Sequence, residues 1–394
     1  MRDLRFCRAA RGPCRALFLV ALVVSACGQR GDLLGTIAGP LDGGEAGVAL
    51  SPSYLIGADI TFVAADEAAG ATYSDGAERD ILQLLRDHGF GAIRLRTFVD
   101  PSAADGYDKQ NGSADLAHTI AFARRVKAAG MAFLLNFHYS DNWADPGKQC
   151  VPLAWQGMTF DQMLQALRDY TRNAVAQLVA AGARPDIVQL GNEITPGMLI
   201  HLCDENGLPT GTSAINGSAL NWGNLGQLLK AAVAAVEEVD ASIRIMLHID
   251  RGGDKPTDDP GYALRTSVGW VEDTLAQGVR LDILGESAYQ RYQGDPGSEA
   301  NTAATWSSTF SGLAARFPGL KIMAVEYGPM QRQINDIVFD LPNQQGVGTF
   351  VWEPTRQGTW NTGHALFAAS GTKYTATPDL ALYDAMKAAY SSRL

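Results

Sequence analysis

No Gly-x-Gly-x-x-Gly follows the first strand-like run of this chain, Leu55–Ile60, so a dinucleotide-binding fold has no support. No Gly-x-Ser-x-Gly elbow is present, which argues against a serine hydrolase of that type. His-x-x-x-His and paired-Cys spacings are missing as well. A metal centre built on His138, His201 and His248 therefore lacks a supporting pattern. There is no excess of positive charge: 32 Lys and Arg stand against 42 Asp and Glu, a formal charge of -10. With no basic stripe, neither nucleic acid nor a polyanionic polysaccharide suits the chain, and a neutral substrate fits better. No repeat of solenoid length is found. The early apolar run Ala16–Ala26 is too short to cross a bilayer as a helix.

What is present begins with a targeting pattern. Arg2, Arg5, Arg8, Arg11 and Arg15 form a basic segment ahead of that apolar run, which ends Val24-Ser25-Ala26-Cys27-Gly28. This resembles a bacterial lipobox, with Cys27 as the lipidated first residue of the mature protein. Cleavage of an ordinary signal peptide is the alternative, but a Cys directly after the small pair favours lipidation. Gly28, in place of Asp, favours the outer membrane or cell surface. The expected organisation is a lipoprotein signal peptide at 1–26, a Gly- and Ala-rich tether at 27–50, and a folded catalytic domain at 51–394. The protein would be exported and would touch the membrane only through its anchor. Of five cysteines, Cys7 and Cys14 leave with the signal and Cys27 carries lipid. Cys150 and Cys203 are left as an even pair in an oxidising compartment and are candidates for a disulfide, with two free thiols as the alternative.

Past the tether, strand and helix patterns alternate. Strand-like runs are Leu55–Ile60, Ala92–Thr97, Ala132–His138, Ile187–Glu193, Ile243–Ile249, Leu281–Gly285, Lys321–Glu326 and Val347–Trp352. Amphipathic stretches lie between them. Those at Glu78–His88, Leu116–Ala129 and Phe160–Ala181 each stop at a glycine, and Leu225–Val239 carries an Ala/Val/Leu face. Eight such alternations predict an α/β fold of the (β/α)8 TIM-barrel type, with a doubly wound sheet as the alternative.

In such a barrel the chemistry lies at the C-terminal ends of the strands. Two of the runs end in glutamate there: Ile187 to Glu193, closing Gly191-Asn192-Glu193, and Lys321 to Glu326. One lone carboxylate would more often be the polar end of a strand. Two at the same barrel end are what glycoside hydrolysis requires, one to protonate the leaving oxygen and one to attack carbon or activate water. Other ends carry sugar-binding residue types. The third runs His138-Tyr139-Ser140-Asp141-Asn142-Trp143, the fifth reaches His248 and then Asp254, the sixth Tyr289 and the eighth Trp352. Aromatic faces suit pyranose C–H groups, and Asp, Asn and His suit hydroxyls. Arg94 and Arg96 share one face of the second strand. There they either pair with a buried carboxylate or, as is equally reasonable for Arg96, contact substrate.

Together these motifs resemble the arabinogalactan endo-β-1,4-galactanases, glycoside hydrolase family 53, a retaining family of the large (β/α)8 clan. The similarity is carried by Gly57-Ala58-Asp59, Arg94-Leu95-Arg96 and Phe137-His138-Tyr139-Ser140-Asp141. It continues in Trp143-Ala144-Asp145-Pro146-Gly147-Lys148-Gln149, Gln189-Leu190-Gly191-Asn192-Glu193-Ile194-Thr195, Gly252-Gly253-Asp254 and Trp352-Glu353-Pro354. The resemblance implies that Glu193 is the acid/base and Glu326 the nucleophile. It also implies that Asn192 bonds the sugar 2-hydroxyl, Tyr289 steadies Glu326 and Trp352 floors the subsite where the bond breaks. It implies a β-1,4-galactan substrate and no required cofactor. A structural Ca²⁺, held in the late loops of some relatives, has no support in the sequence, and a monomer is expected. The chain departs from the family pattern at Asn136, where Asp is usual, at Glu286-Ser287-Ala288-Tyr289 and at Tyr327-Gly328-Pro329. Glu286 is left without a role. The competing readings are another β-glycanase of the clan, such as a mannanase, and a non-catalytic glycan-binding surface lipoprotein.

Overall fold

A computed structural model describes residues 53–250, 266–290, 301–356 and 365–394. Cys27, Asp254, the signal segment and the tether lie outside the described residues. Eight strands are β1 (Leu55–Asp59), β2 (Ala92–Thr97), β3 (Ala132–Phe137), β4 (Ile187–Leu190), β5 (Arg244–Ile249), β6 (Ile283–Ser287), β7 (Lys321–Tyr327) and β8 (Gly346–Trp352). They close into a barrel in the order β1-β8-β7-β6-β5-β4-β3-β2, every pair parallel. This is the (β/α)8 barrel the sequence predicts, with helices between the strands.

The strands form because their residues are aliphatic on both faces, one face for the barrel interior and one for the helix ring. The lower interior is a ring of apolar side chains: Leu55, Ala92, Leu134, Ile187, Met246, Ile283, Met323 and Phe350 pack as one cluster, one from each strand. Gly57 is what lets Phe350 lie across it, since a Cβ at Gly57 would come within 2.3 Å of that ring. Local signals start the helices. Thr159 and Gln162 form a reciprocal capping box ahead of Phe160–Ala180. Asp80 accepts from the N–H groups of Leu82 and Gln83 to open Ile81–Asp87.

That cap corrects one expectation. The helix expected over Glu78–His88 begins later, because Glu78–Arg79 is a short strand paired with Thr72–Ser74. These two join Phe367–Ser370 and Lys373–Ala376 in a four-stranded sheet that the strand-and-helix pattern does not announce. A second addition is the hairpin His201–Cys203 with Pro209–Thr212. Cys150 and Cys203 form a disulfide, Cα to Cα 5.8 Å, closing 53 residues and tying the loop after β3 to this hairpin.

Candidate active site

Above the apolar ring, inward positions two or four residues further along the same strands are polar: Asp59 on β1, Arg94 and Arg96 on β2, Asn136 on β3, Gln189 on β4, His248 on β5 and Ser287 on β6. All are buried. Alternation sets this layer, because each of Arg94, Asn136, Gln189 and His248 stands two residues after a member of the apolar ring. Glu326 would break that alternation, since Val325 also belongs to the interior cluster. A bulge resolves it. Glu286 pairs with Ala324, but the next residue, Ser287, pairs with Glu326, so β7 has one residue extra and Glu326 turns inward.

Arg94 organises the layer. Its Nη1 donates to Asp59 Oδ2 and to Glu326 Oε1, both at 2.8 Å; its Nη2 donates to Asn192 Oδ1 at 2.8 Å, and its Nε to Gln189 Oε1 at 3.1 Å. Tyr289 Oη donates to the other oxygen, Glu326 Oε2, at 3.2 Å. Burial raises the Glu326 pKa above the ordinary carboxylate range, and the Arg94 guanidinium and the Tyr289 hydroxyl offset part of that rise by favouring the ionised form.

Glu193 has different surroundings. Chain direction reverses after β4 through Gly191 (φ 93°), and Glu193 itself adopts a left-handed φ of 47°, which is uncommon outside glycine and carries backbone strain. Its Oε1 accepts from Ser287 Oγ at 2.6 Å, and its backbone N–H donates to His248 Nδ1 at 3.2 Å. Among the described residues no cation bonds its carboxyl. Burial first, then the charges of Glu326 and Asp250, raise its pKa well above the ordinary carboxylate range, against the lowering effect of Ser287. The arrangement thus holds two buried carboxyl groups in unlike environments, a proton-keeping acid beside a cation-bound carboxylate, and this can run acid/base and nucleophilic chemistry together.

The remaining residues named from the sequence divide into an exposed rim and a buried support. Trp143 and Trp352 are both half-buried, their rings 6.2 Å apart and nearly perpendicular. Arg96 lies beneath Trp143, its guanidinium 4.1 Å from that ring and 4.2 Å from the ring of Phe62, with Nη1 donating to Glu353 Oε1 at 2.7 Å. The Arg96 guanidinium is therefore paired and stacked rather than open to solvent. Burial pushes the Glu353 carboxyl up to about 8, despite Arg96. His138 is buried against Trp143 and Phe98, and its Nδ1 accepts from the Ala144 N–H at 3.0 Å. Asp141 accepts from the Asp100 and Leu153 N–H groups at 2.9 and 2.7 Å, which ties loops together; burial raises it to about 6. Asn192 Nδ2 donates to the Ala144 carbonyl at 2.8 Å. His248 is wholly buried behind Glu193. Glu286 takes the strand position opposite to Ser287 and so faces out of the barrel interior.

Arg94 pairs with buried carboxylates, as the sequence allowed. Asp59, Gln189, Ser287 and Glu353 were not singled out from the sequence as site residues. For Gln189 the signal was available, in its two-residue offset from an apolar interior position.

A parallel eight-stranded barrel with two carboxyl groups at its C-terminal mouth, flanked by indole rings, defines the class of (β/α)8 glycoside hydrolases. Residues 55–333 match the model of Glycosyl hydrolase family 53, and the chain belongs to that family. An uncharacterised protein of the bgaB 5′ region in Niallia circulans is 32% identical over 343 residues, 79% of this chain and 87% of that protein. An arabinogalactan endo-β-1,4-galactanase of Thermothelomyces thermophilus is 29% identical over 349 residues, 80% of this chain and 95% of the relative. Among solved structures, a fungal β-1,4-galactanase superposes with a TM-score of 0.68 at 27% identity, covering 84% of this chain and 98% of that one.

Proposed function

We propose that this chain is an endo-acting, retaining hydrolase of β-1,4-galactan in which Glu193 is the acid/base and Glu326 the nucleophile. The observation that carries the role split is the contrast in partners: Glu326 accepts from the Arg94 guanidinium and the Tyr289 hydroxyl, both of which favour its anion, whereas Glu193 has a neutral hydroxyl partner and the more strongly raised pKa. Glu193 protonates the glycosidic oxygen as the bond to it breaks, while Glu326 attacks the anomeric carbon and forms a glycosyl ester. Glu193, now ionised, takes a proton from water, which attacks the same carbon and frees Glu326. Two inversions leave the β-configuration unchanged. Both steps are completed by carboxyl groups and water, so the proposal requires no cofactor.

The galactan substrate is supported by family membership and by relatives named as arabinogalactan endo-β-1,4-galactanases. The half-buried Trp143 and Trp352 offer flat faces for pyranose rings. The family resemblance supports Asn192 as the partner of the sugar 2-hydroxyl, and the Val24-Ser25-Ala26-Cys27-Gly28 run supports a lipid on Cys27 that would hold the protein at the cell surface. The test is proton NMR of early products on linear galactan, with arabinogalactan, mannan and xylan alongside. A β-anomer appearing first from galactan supports the reading. An α-anomer first, or turnover of mannan or xylan in preference to galactan, would overturn it. For the anchor, Cys27→Ser should move the protein from the membrane fraction to the soluble one without loss of specific activity.

A further inference from the structure

We infer that Ser287 is a positioning residue that determines which oxygen of Glu193 carries the catalytic proton, at the end of a one-way chain of hydrogen bonds that begins at the Glu193 backbone N–H. The inference rests on Glu193 being the acid/base.

The chain follows from what each group can do. Arg94 has only donors, so the Gln189 oxygen must face its Nε, at 3.1 Å, and the Gln189 NH2 must face the other way. That NH2 has two hydrogens, whose nearest acceptors are Asn136 Oδ1 at 2.7 Å and the Gly191 carbonyl at 2.9 Å, with His248 Nδ1 farther off at 3.1 Å. The backbone N–H of Glu193, which also can only donate, points at the same Nδ1 from 3.2 Å. Asn192 Oδ1 is 3.3 Å from Nδ1 and would suit the opposite tautomer, but then the Glu193 N–H would face an N–H. Nδ1 is therefore the bare acceptor. The imidazole is neutral, because burial and the nearby Arg94 and His138 hold its pKa well below the usual value. Its single proton is then on Nε2, which donates to Ser287 Oγ at 2.9 Å. Having accepted there, the Ser287 hydroxyl directs its own proton to Glu193 Oε1 at 2.6 Å.

Every bond in the series runs in one direction, and it returns to the residue from whose backbone it starts. Glu193 Oε1 is thereby compelled to accept, so the acid proton must sit on Oε2. A carboxyl group free to place its proton on either oxygen would present it to the glycosidic oxygen only part of the time. Burial first, then the charges of Glu326, Asp250 and Asp145, keep the proton on the residue; Ser287 fixes where on it.

The test compares kcat/KM on galactan with kcat/KM on a dinitrophenyl β-galactobioside, whose leaving group needs no proton. Both report the first chemical step. Ser287→Ala should lose about tenfold on galactan, the scale of one hydrogen bond to a charged group, and less than twofold on the aryl glycoside. The basic limb of its pH profile should move upward, because the lost bond favoured the ionised form. Ser287→Thr, which keeps the hydroxyl, should restore the galactan rate. Equal losses on both substrates with an unmoved basic limb, in Ser287→Ala or in a folded Ser287→Cys, would overturn the inference. Glu193→Ala in the same assay separates the two claims. If it spares the aryl glycoside, the acid assignment stands whatever Ser287 does. If it loses both equally, the assignment itself fails.

Discussion

Two layers of the barrel interior, one residue pair apart on the same strands, have opposite characters. The lower layer, with Leu134, Ile187 and Met246, is apolar and packed. The upper, with Asn136, Gln189 and His248, is polar, buried and closed by hydrogen bonds. The strands fix the backbone of both equally. What differs is what a lost side chain leaves behind: a void below, an unpaired donor or charge above. Stability should therefore be concentrated in the lower layer and turnover in the upper, with Arg94 contributing to both.

The largest expected effect is at the top of the upper layer. Glu326→Gln removes the attacking group and should lower kcat on galactan by on the order of 10⁴-fold with little change in melting temperature. A stable variant with near-normal turnover would break the division. Arg94→Met comes next and should fail on both counts. It leaves Glu326 buried without its cation and Asp59 with only Arg96, 3.7 Å away, and uncompensated buried charge costs roughly 3–5 kcal/mol, read as a loss in chemical denaturation together with a fall in kcat. Met246→Ala is the lower-layer counterpart, expected to cost about 2–5 kcal/mol of stability while the folded fraction keeps its kcat/KM within about twofold. Smaller again is the combined Cys150→Ser and Cys203→Ser change. Opening a 53-residue closure should cost about 2–4 kcal/mol and leave the two glutamates untouched.

The pH dependence sharpens the same contrast. The proposed roles require Glu193 protonated and Glu326 ionised. Activity should fall as pH rises through the raised pKa of Glu193 and as pH drops through that of Glu326, the two limbs belonging to the coupled pair. Glu326→Gln cannot report this, but Tyr289→Phe can. Removing a donor to Glu326 Oε2 should move the acidic limb upward, since that bond favours the anion.

How much of this was legible beforehand follows from the range of the interactions. Parallel strands buried on both faces read as near-continuous aliphatic runs, so the barrel was visible, and β2 matches its expected span of Ala92–Thr97. Glu193 and Glu326 were visible as strand-end carboxylates. The inward turn of Glu326 was not, because it depends on a bulge defined only by pairing with β6. Arg94 and Arg96 could be placed on one face, but which face is set by the neighbouring strands. Ser287 gave no signal, since its role lies in a contact across 94 residues of sequence. The four-stranded sheet escaped for the same reason, its Thr72–Ser74 strand pairing with Lys373–Ala376.

The most direct measurement of the role split is the configuration of the glycosyl azide formed when each glutamate is removed. Glu193→Ala keeps the nucleophile, so on an activated aryl glycoside the glycosyl ester forms, and added azide attacks it to give the β-glycosyl azide. Glu326→Ala forms no ester, so azide enters from the vacated face and gives the α-glycosyl azide. The account predicts β-azide from Glu193→Ala and α-azide from Glu326→Ala. The reverse pattern would contradict it.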